Sequence, residues 1–327
     1  MKRILVPIDF SPFSLQALRY GCVLARQNNA ELFLLHVVQD LTPISVGGGG
    51  IIASSAAEYI DQLESSAEEA LAEVPSRSIG KDLKLRRQTV IGSPRYAIVD
   101  FAETHEIDLI CLGTHGRGGL SRMLLGSVAE KVVQHAPCPT LVVRRHEREF
   151  VQDNRDEPRI RRILAPVDFS DASRVAADEA TKLAARFDAE LHLLHVVEDS
   201  SPGVSEIALA YPVFQSFVHE LVKSSQKQLD ELTANNSGPT GTVRKVVIGA
   251  AIHKINDYAD EHQMDLIVMG THGRTGPVHW LLGSVAERVV RSAPCPVLVI
   301  PQQRTASGKA PQAAKPLAAS LQHETAH

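Results

Sequence analysis

Gly113-Thr114-His115-Gly116, nine further residues, then Gly126-Ser127 is the stretch that decides how this chain is read, because it returns as Gly270-Thr271-His272-Gly273, nine residues, Gly283-Ser284. Each copy follows a short apolar run (107–112 and 265–269) and leads into apolar residues at helical spacing. Strand, glycine loop and helix start together turn backbone N–H groups toward a phosphate, and glycines let a ligand approach the main chain closely. The chain therefore advertises two anion sites of nucleotide type. Neither copy has the G-x4-G-K-[ST] of a P-loop, and neither has the G-x-G-x-x-G of a dinucleotide site.

The repetition extends outward from the loops. Ile4-Leu5-Val6-Pro7-Ile8-Asp9-Phe10-Ser11 returns as Ile163-Leu164-Ala165-Pro166-Val167-Asp168-Phe169-Ser170, His36-Val37-Val38 as His195-Val196-Val197, and Ala136-Pro137-Cys138-Pro139 as Ala293-Pro294-Cys295-Pro296. A unit of about 150 residues is the size of a domain rather than of a solenoid repeat, so the chain reads as a tandem duplication. Within 327 residues, 44% hydrophobic, two cores can be built.

Strands are expected at 3–8, 31–38, 83–91, 107–112 and 140–143, buried at 3–8 and 107–112 and alternating in part at 83–91, and helices at 12–28, 56–73, 94–105 and 127–135. The second half repeats this with strands at 162–167, 189–197, 242–248, 265–269 and 297–300 and helices at 171–187, 213–233, 251–262 and 284–292. Alternating strands and helices imply an α/β fold: two tandem doubly wound domains, each a five-stranded parallel sheet with helices on both faces. The expected division is domain 1 at 1–144, a charged linker at 145–160, domain 2 at 161–301 and a disordered tail at 302–327. Between Arg144 and Arg162, 12 of 19 residues are charged with mixed sign, which reads as a solvated linker.

Composition excludes several classes. A net charge of -4 gives no support for nucleic-acid binding. The longest apolar runs are strand-sized, so no membrane span is expected, and Asp9 comes too early for a signal peptide. Cys22, Cys111, Cys138 and Cys295 form no CxxC, and a reduced cytoplasmic protein is expected. His135 and Cys138 resemble half of a metal site, but Ser292 stands where the second copy should have the histidine, so no metal site is read.

Individual residues carry two readings each. Ser127-Val-Ala-Glu130 and Ser284-Val-Ala-Glu287 fit a capping box; each serine caps its helix, contacts a phosphate, or does both. Asp9 and Asp168 stand at the carboxyl ends of their strands, either as ligand contacts or as caps of the next helix. Arg117 and Arg274 are solvated charges or phosphate-neutralising arms. His115 and His272 have no ligand-spaced partner and read as loop-structuring; His36 and His195 read as packed and hydrogen-bonded; Trp280 reads as an apolar anchor.

On the openings ILVPIDFS and ILAPVDFS, on LLHVV in both halves and on the two GTHGR…LLGS loops, the chain resembles a tandem universal stress protein over about residues 1–144 and 160–301. The G-x2-G-x9-G-[ST] spacing resembles the ATP-binding branch of that family. The resemblance implies a sheet order 3-2-1-4-5 and final strands that pair across the two domains within one chain, with a homodimer as a further arrangement. It places Asp9 and Asp168 near adenosine, Val37 and Val196 against adenine through their backbone, and Gly113, Gly116, Gly126 and Ser127, with Gly270, Gly273, Gly283 and Ser284, around ribose and phosphates. Ala251 in place of Pro94, and Pro277 inside the second loop, which removes an N–H donor, depart from the first copy. The implied function is that of an ATP-binding stress-response or regulatory protein. ADP or AMP is the alternative ligand, Mg²⁺ arrives on the nucleotide, and the protein partners are unidentified. A slow ATP-hydrolysing enzyme and a nucleotide-independent interaction module are the rival readings, the former without a catalytic residue to name.

Overall fold

The computed structural model describes residues 1–39, 53–74, 83–114, 125–144, 148–151, 158–198, 212–234, 241–271 and 282–301. In chain order the elements are β1 (Arg3–Pro7), α1 (Pro12–Asn28), β2 (Glu31–Val38), α2 (Ala53–Ala72), β3 (Lys84–Ile91), α3 (Pro94–Thr104), β4 (Leu109–Gly113), α4 (Ser127–His135) and β5 (Thr140–Val143). The second half has β6 (Arg162–Pro166), α5 (Asp171–Phe187), β7 (Glu190–Val197), α6 (Pro212–Ala234), β8 (Val243–Ile248), α7 (Ala251–Glu261), β9 (Leu266–Gly270), α8 (Ser284–Ser292) and β10 (Val297–Ile300). The apolar runs fold as strands because both faces of the sheet are covered, as a parallel sheet requires.

The strands form one sheet in the order β3-β2-β1-β4-β5-β10-β9-β6-β7-β8. Pairing is parallel within each half, and β5 meets β10 antiparallel, with Leu298 opposite Leu141 and Val299 opposite Thr140. Each face of this sheet carries one hydrophobic cluster that runs through both halves. One holds Leu18 and Tyr20 of α1 with Ala176 and Ala180 of α5; the other holds Ile98 and Phe101 of α3, Val132 of α4, Ile255 of α7 and Val289 of α8. The outer strands β3 and β8 carry Lys84, Arg86 and Arg87, and Arg244 and Lys245; such charges discourage pairing with a foreign edge.

The segment between the halves differs from the solvated linker that its charge suggests. Phe150, Val151 and Ile160 are buried in the cluster with α1 and α5. The Phe150 ring meets Tyr20 edge-on at 4.8 Å. Arg148 turns the other way: its guanidinium donates to the carbonyls of Met264 (2.7 Å) and Ala259 (3.3 Å) and reaches Asp260 (3.2 Å). Glu149 meets Arg19 on α1 at 3.3 Å. Phe150, Val151 and Ile160 complete a core, while Arg148 and Glu149 reach carbonyls and ions at its rim. The tail 302–327 lies outside the described residues.

Each half treats one internal position differently. Phe33, Phe101 and His105 form an aromatic trio under β2, with Phe101 and His105 stacked at 3.8 Å. The second half replaces it with His192, Tyr258 and His262, where His192 Nδ1 lies 2.8 Å from the Tyr258 hydroxyl and Glu190 is 3.4 Å from its other nitrogen. Burial pushes the His192 pKa down, against the pull of Glu190 and with smaller contributions from His262 and Arg162. The unfolded chain therefore takes up a proton near pH 6.5 that the folded half takes only at lower pH. The stability is complete above that value and is lost as the pH falls. Thermal unfolding followed from about pH 7 to about pH 5 should show a declining midpoint that flattens in His192→Phe/Tyr258→Phe, the pair that restores the first half's trio. An equally steep decline in that variant would assign the acid sensitivity elsewhere.

Candidate functional site

The order 3-2-1-4-5 sends the connections after β1 and β4 to opposite faces: α1 lies in one cluster and α4 in the other. The crevice of a doubly wound sheet opens at such a switch point, beyond the carboxyl ends of the strands. Pro7 pairs with Leu35 and Leu5 with Ile110, so continuing the register sets Asp9 between Val37 and Thr114. Pro166 with Leu194 and Leu164 with Ile267 set Asp168 between Val196 and Thr271 in the same way.

Asp9 does not cap α1. The N-cap is Ser11, whose hydroxyl accepts from Ser14 N–H at 3.2 Å, while Asp9 Oδ1 accepts from the Ser11 hydroxyl (2.6 Å) and amide (3.0 Å). Ser170, Ser173 and Asp168 repeat this with matching bonds. Each aspartate is thereby anchored to the first turn of the helix and held at the strand end. The residue between them is the feature that the sequence conceals: Phe10 has φ 63 and Phe169 φ 65, left-handed values that are rare for a bulky side chain.

Gly113 and Gly270 owe their identity to packing. A Cβ on Gly113 would lie 2.6 Å from the Phe13 carbonyl, and one on Gly270 2.9 Å from the Ala172 carbonyl, so a helix backbone crosses directly over each strand end. The loops that follow are pinched at the base. Thr114 N–H donates to Val143 and its carbonyl accepts from Gly126 at 2.8 Å; Thr271 does the same with Ile300 and Gly283 at 2.8 Å. Gly116, Arg117, Gly273 and Arg274, with His115, His272, Pro277 and Trp280, lie outside the described residues.

The expected capping boxes do not form. Gly126 and Gly283 are the N-caps of α4 and α8, and Ser127 and Ser284 are the first helical residues, exposed. The bond from Thr114 holds Gly126 extended, so its carbonyl takes the first helical N–H, that of Glu130, at 2.9 Å. Among the described residues no side chain caps either helix, and the first-turn amides have no acceptor inside the helix. The acidic residues of that turn are drawn up the helix: Glu130 accepts from Gln134 at 3.2 Å and Glu287 pairs with Arg291. Two helix N-termini with exposed serines therefore face the rim where Asp9 and Asp168 stand, an arrangement suited to an anion.

The universal stress protein family model matches residues 1–144 and 159–301. The chain belongs to the universal stress protein family. A universal stress protein of Methanocaldococcus jannaschii is 38% identical over 149 residues, 45% of this chain and 85% of that one. One from Mycolicibacterium smegmatis is 28% identical over 305 residues, covering 91% of this chain and 96% of its own, so the doubled arrangement is shared end to end. The crystal structure of a universal stress protein from Archaeoglobus fulgidus superposes with a TM-score of 0.61 at 23% identity, over 91% of this chain and 98% of that one, which bears on the fold. The universal stress protein family thus accounts for both halves, and the expected sheet order within each is the observed one.

Among the described residues, the histidines and cysteines singled out by the sequence are packed or bonded. His36 Nδ1 lies 2.6 Å from the Ile8 carbonyl and His195 Nδ1 2.7 Å from that of Val167, so both are packed and bonded. His135 faces its own helix at Lys131, and the described residues hold no cluster of three or more histidine, cysteine or acidic side chains fit for a metal. All four cysteines are buried free thiols, and burial pushes those of Cys22 and Cys138 up to about 12, which makes them inert packing groups. No helix among the described residues is long and apolar enough to cross a membrane.

Proposed function

We propose that this universal stress protein binds ATP at both carboxyl-end rims and that occupancy controls its conformation or its contacts with partner proteins. The observation that carries the reading is the start of α4 and of α8 on a glycine cap that offers no side chain to the first-turn amides, with first-turn carboxylates turned away, at the rim that carries an anchored aspartate. In this reading Ser127 and Ser284, with the first-turn amides, take phosphate oxygens; Asp9 and Asp168 take the adenosine end; Val37 and Val196 present main chain to the base. Gly116, Arg117, Gly273 and Arg274 complete the loops, and Mg²⁺ comes with the nucleotide. Gly126 and Gly283 act by shape, since their amides already bond Thr114 and Thr271. The functional division we assign is 1–144 and 161–301, joined by 145–160, in a cytoplasmic protein.

Calorimetric titration with ATP and Mg²⁺ tests this. Binding is expected; its absence, with no nucleotide carried through purification, would remove the proposal. Ser127→Asp/Ser284→Asp should weaken affinity by about tenfold or more through like-charge repulsion, while the helices keep or gain stability from an acid at their first position. Unchanged affinity in that variant would move the phosphates away from these helices.

A further inference from the structure

The two strained phenylalanines and the two strand histidines sit at the same point of both rims, and together they interrupt the sheet. Ile8 N–H donates to the Leu35 carbonyl at 2.8 Å. Leu35 therefore faces β1, and by alternation so does Val37, whereas Val38 faces β3 and takes the Gly92 N–H at 2.9 Å. The next rung between β1 and β2 would run from Val37 N–H to the Ile8 carbonyl. In its place the Ile8 carbonyl faces His36 Nδ1 at 2.6 Å. A carbonyl only accepts, so this nitrogen carries the hydrogen and donates.

Immediately beyond, the chain swings out through Phe10 in its left-handed conformation, with the phenyl ring tilted onto the imidazole at 4.7 Å. A strained backbone of this kind persists only where its surroundings fix it. The second half repeats each part. Val167 N–H reaches the Leu194 carbonyl at 2.8 Å, Val197 takes Gly249 N–H at 3.1 Å, His195 Nδ1 is 2.7 Å from the Val167 carbonyl, and Phe169 lies on His195 at 4.4 Å. The halves have diverged at the aromatic trio under β2 and β7, yet they agree here.

We propose that His36 and His195 are positioning residues: each takes the last strand carbonyl, stops the ladder one rung early and so keeps the main-chain edge of Val37 or Val196 turned toward the nucleotide base. The Phe–His contact locks the bend that carries Asp9 or Asp168 with it. This rests on the nucleotide reading above and adds to it the device that holds the base slot open.

The test compares two pairs of variants in the full chain. His36→Asn/His195→Asn keeps a donor at the same distance from the backbone; His36→Phe/His195→Phe keeps a ring for the phenylalanine and loses the donor. Affinity for ATP and amide hydrogen exchange at Val37 and Val196 without nucleotide are both measured. The Phe pair should bind ATP about tenfold more weakly, on the scale of one lost hydrogen bond, and its valine amides should exchange more slowly as the missing rung closes. The Asn pair should stay near the wild type in both. Should the Phe pair fail to fold, His36→Gln/His195→Gln, whose amide lies one bond too far out, takes its place with the same expectation. Unchanged affinity, or valine exchange as in the wild type, overturns the positioning role. If the wild type binds no ATP, the nucleotide reading falls, and the exchange rates still decide whether the histidines stop the ladder.

Discussion

Phe150→Ala should lower the unfolding free energy of the full chain by about 3–4 kcal/mol, the range for emptying a buried phenylalanine site. The ring is 3% exposed, stands edge-on to Tyr20 and belongs to the cluster that α1 and α5 share. The Phe150 carbonyl also accepts Arg159 N–H at 2.8 Å, so the segment closes on itself around this side chain. Glu149→Ala, which removes a partly buried ion pair with Arg19 and the bond from Gln16, should cost about 1 kcal/mol and serves as the neighbouring control. Urea denaturation checks both. Equal midpoints for Phe150→Ala and Glu149→Ala would mean that the segment rests on the surface without contributing to the core.

Gly113→Ala should cost about 3 kcal/mol and Gly270→Ala less, because the added methyl meets the helix backbone at 2.6 Å in the first half and 2.9 Å in the second. The obstacle is main chain in both, so no side chain can swing away to make room. The order of the two denaturation midpoints is the measurement. A Gly113→Ala protein as stable as the wild type would show that α1 can slide over β4. A destabilised glycine variant would lose any nucleotide affinity through the fold alone, so the exposed Ser127 and Ser284 are the better probes of the proposed binding.

Most strands were legible because they are short apolar runs ended by a polar or glycine residue, and helices such as α1 because apolar residues recur at helical spacing, whereas β3 and β8 carry charges and alternate only in part. The order of strands was not in that pattern; it came with the resemblance, since periodicity carries no information on neighbours across a sheet. In the candidate site, Asp9 and Val37 lie at the strand ends by register, but the expected capping boxes are absent, because S-x-x-E spacing cannot reveal that the bond to Thr114 pins Gly126 and makes it the cap. The glycine at 113 was read for a ligand, whereas its neighbour is Phe13 of a helix distant in sequence. The solvated reading of the linker missed three apolar residues, because a charge count hides side chains that join a core built from both halves. The left-handed Phe10 and Phe169 left one trace, a bulky residue kept between Asp and Ser at both strand exits, and nothing local to the sequence announces their φ.

Since β5 and β10 run in opposite directions while all other neighbours run together, the five strands of one half end where the five of the other begin. The two carboxyl-end rims therefore open toward opposite edges of one continuous sheet, and a body that covers one rim leaves the other uncovered.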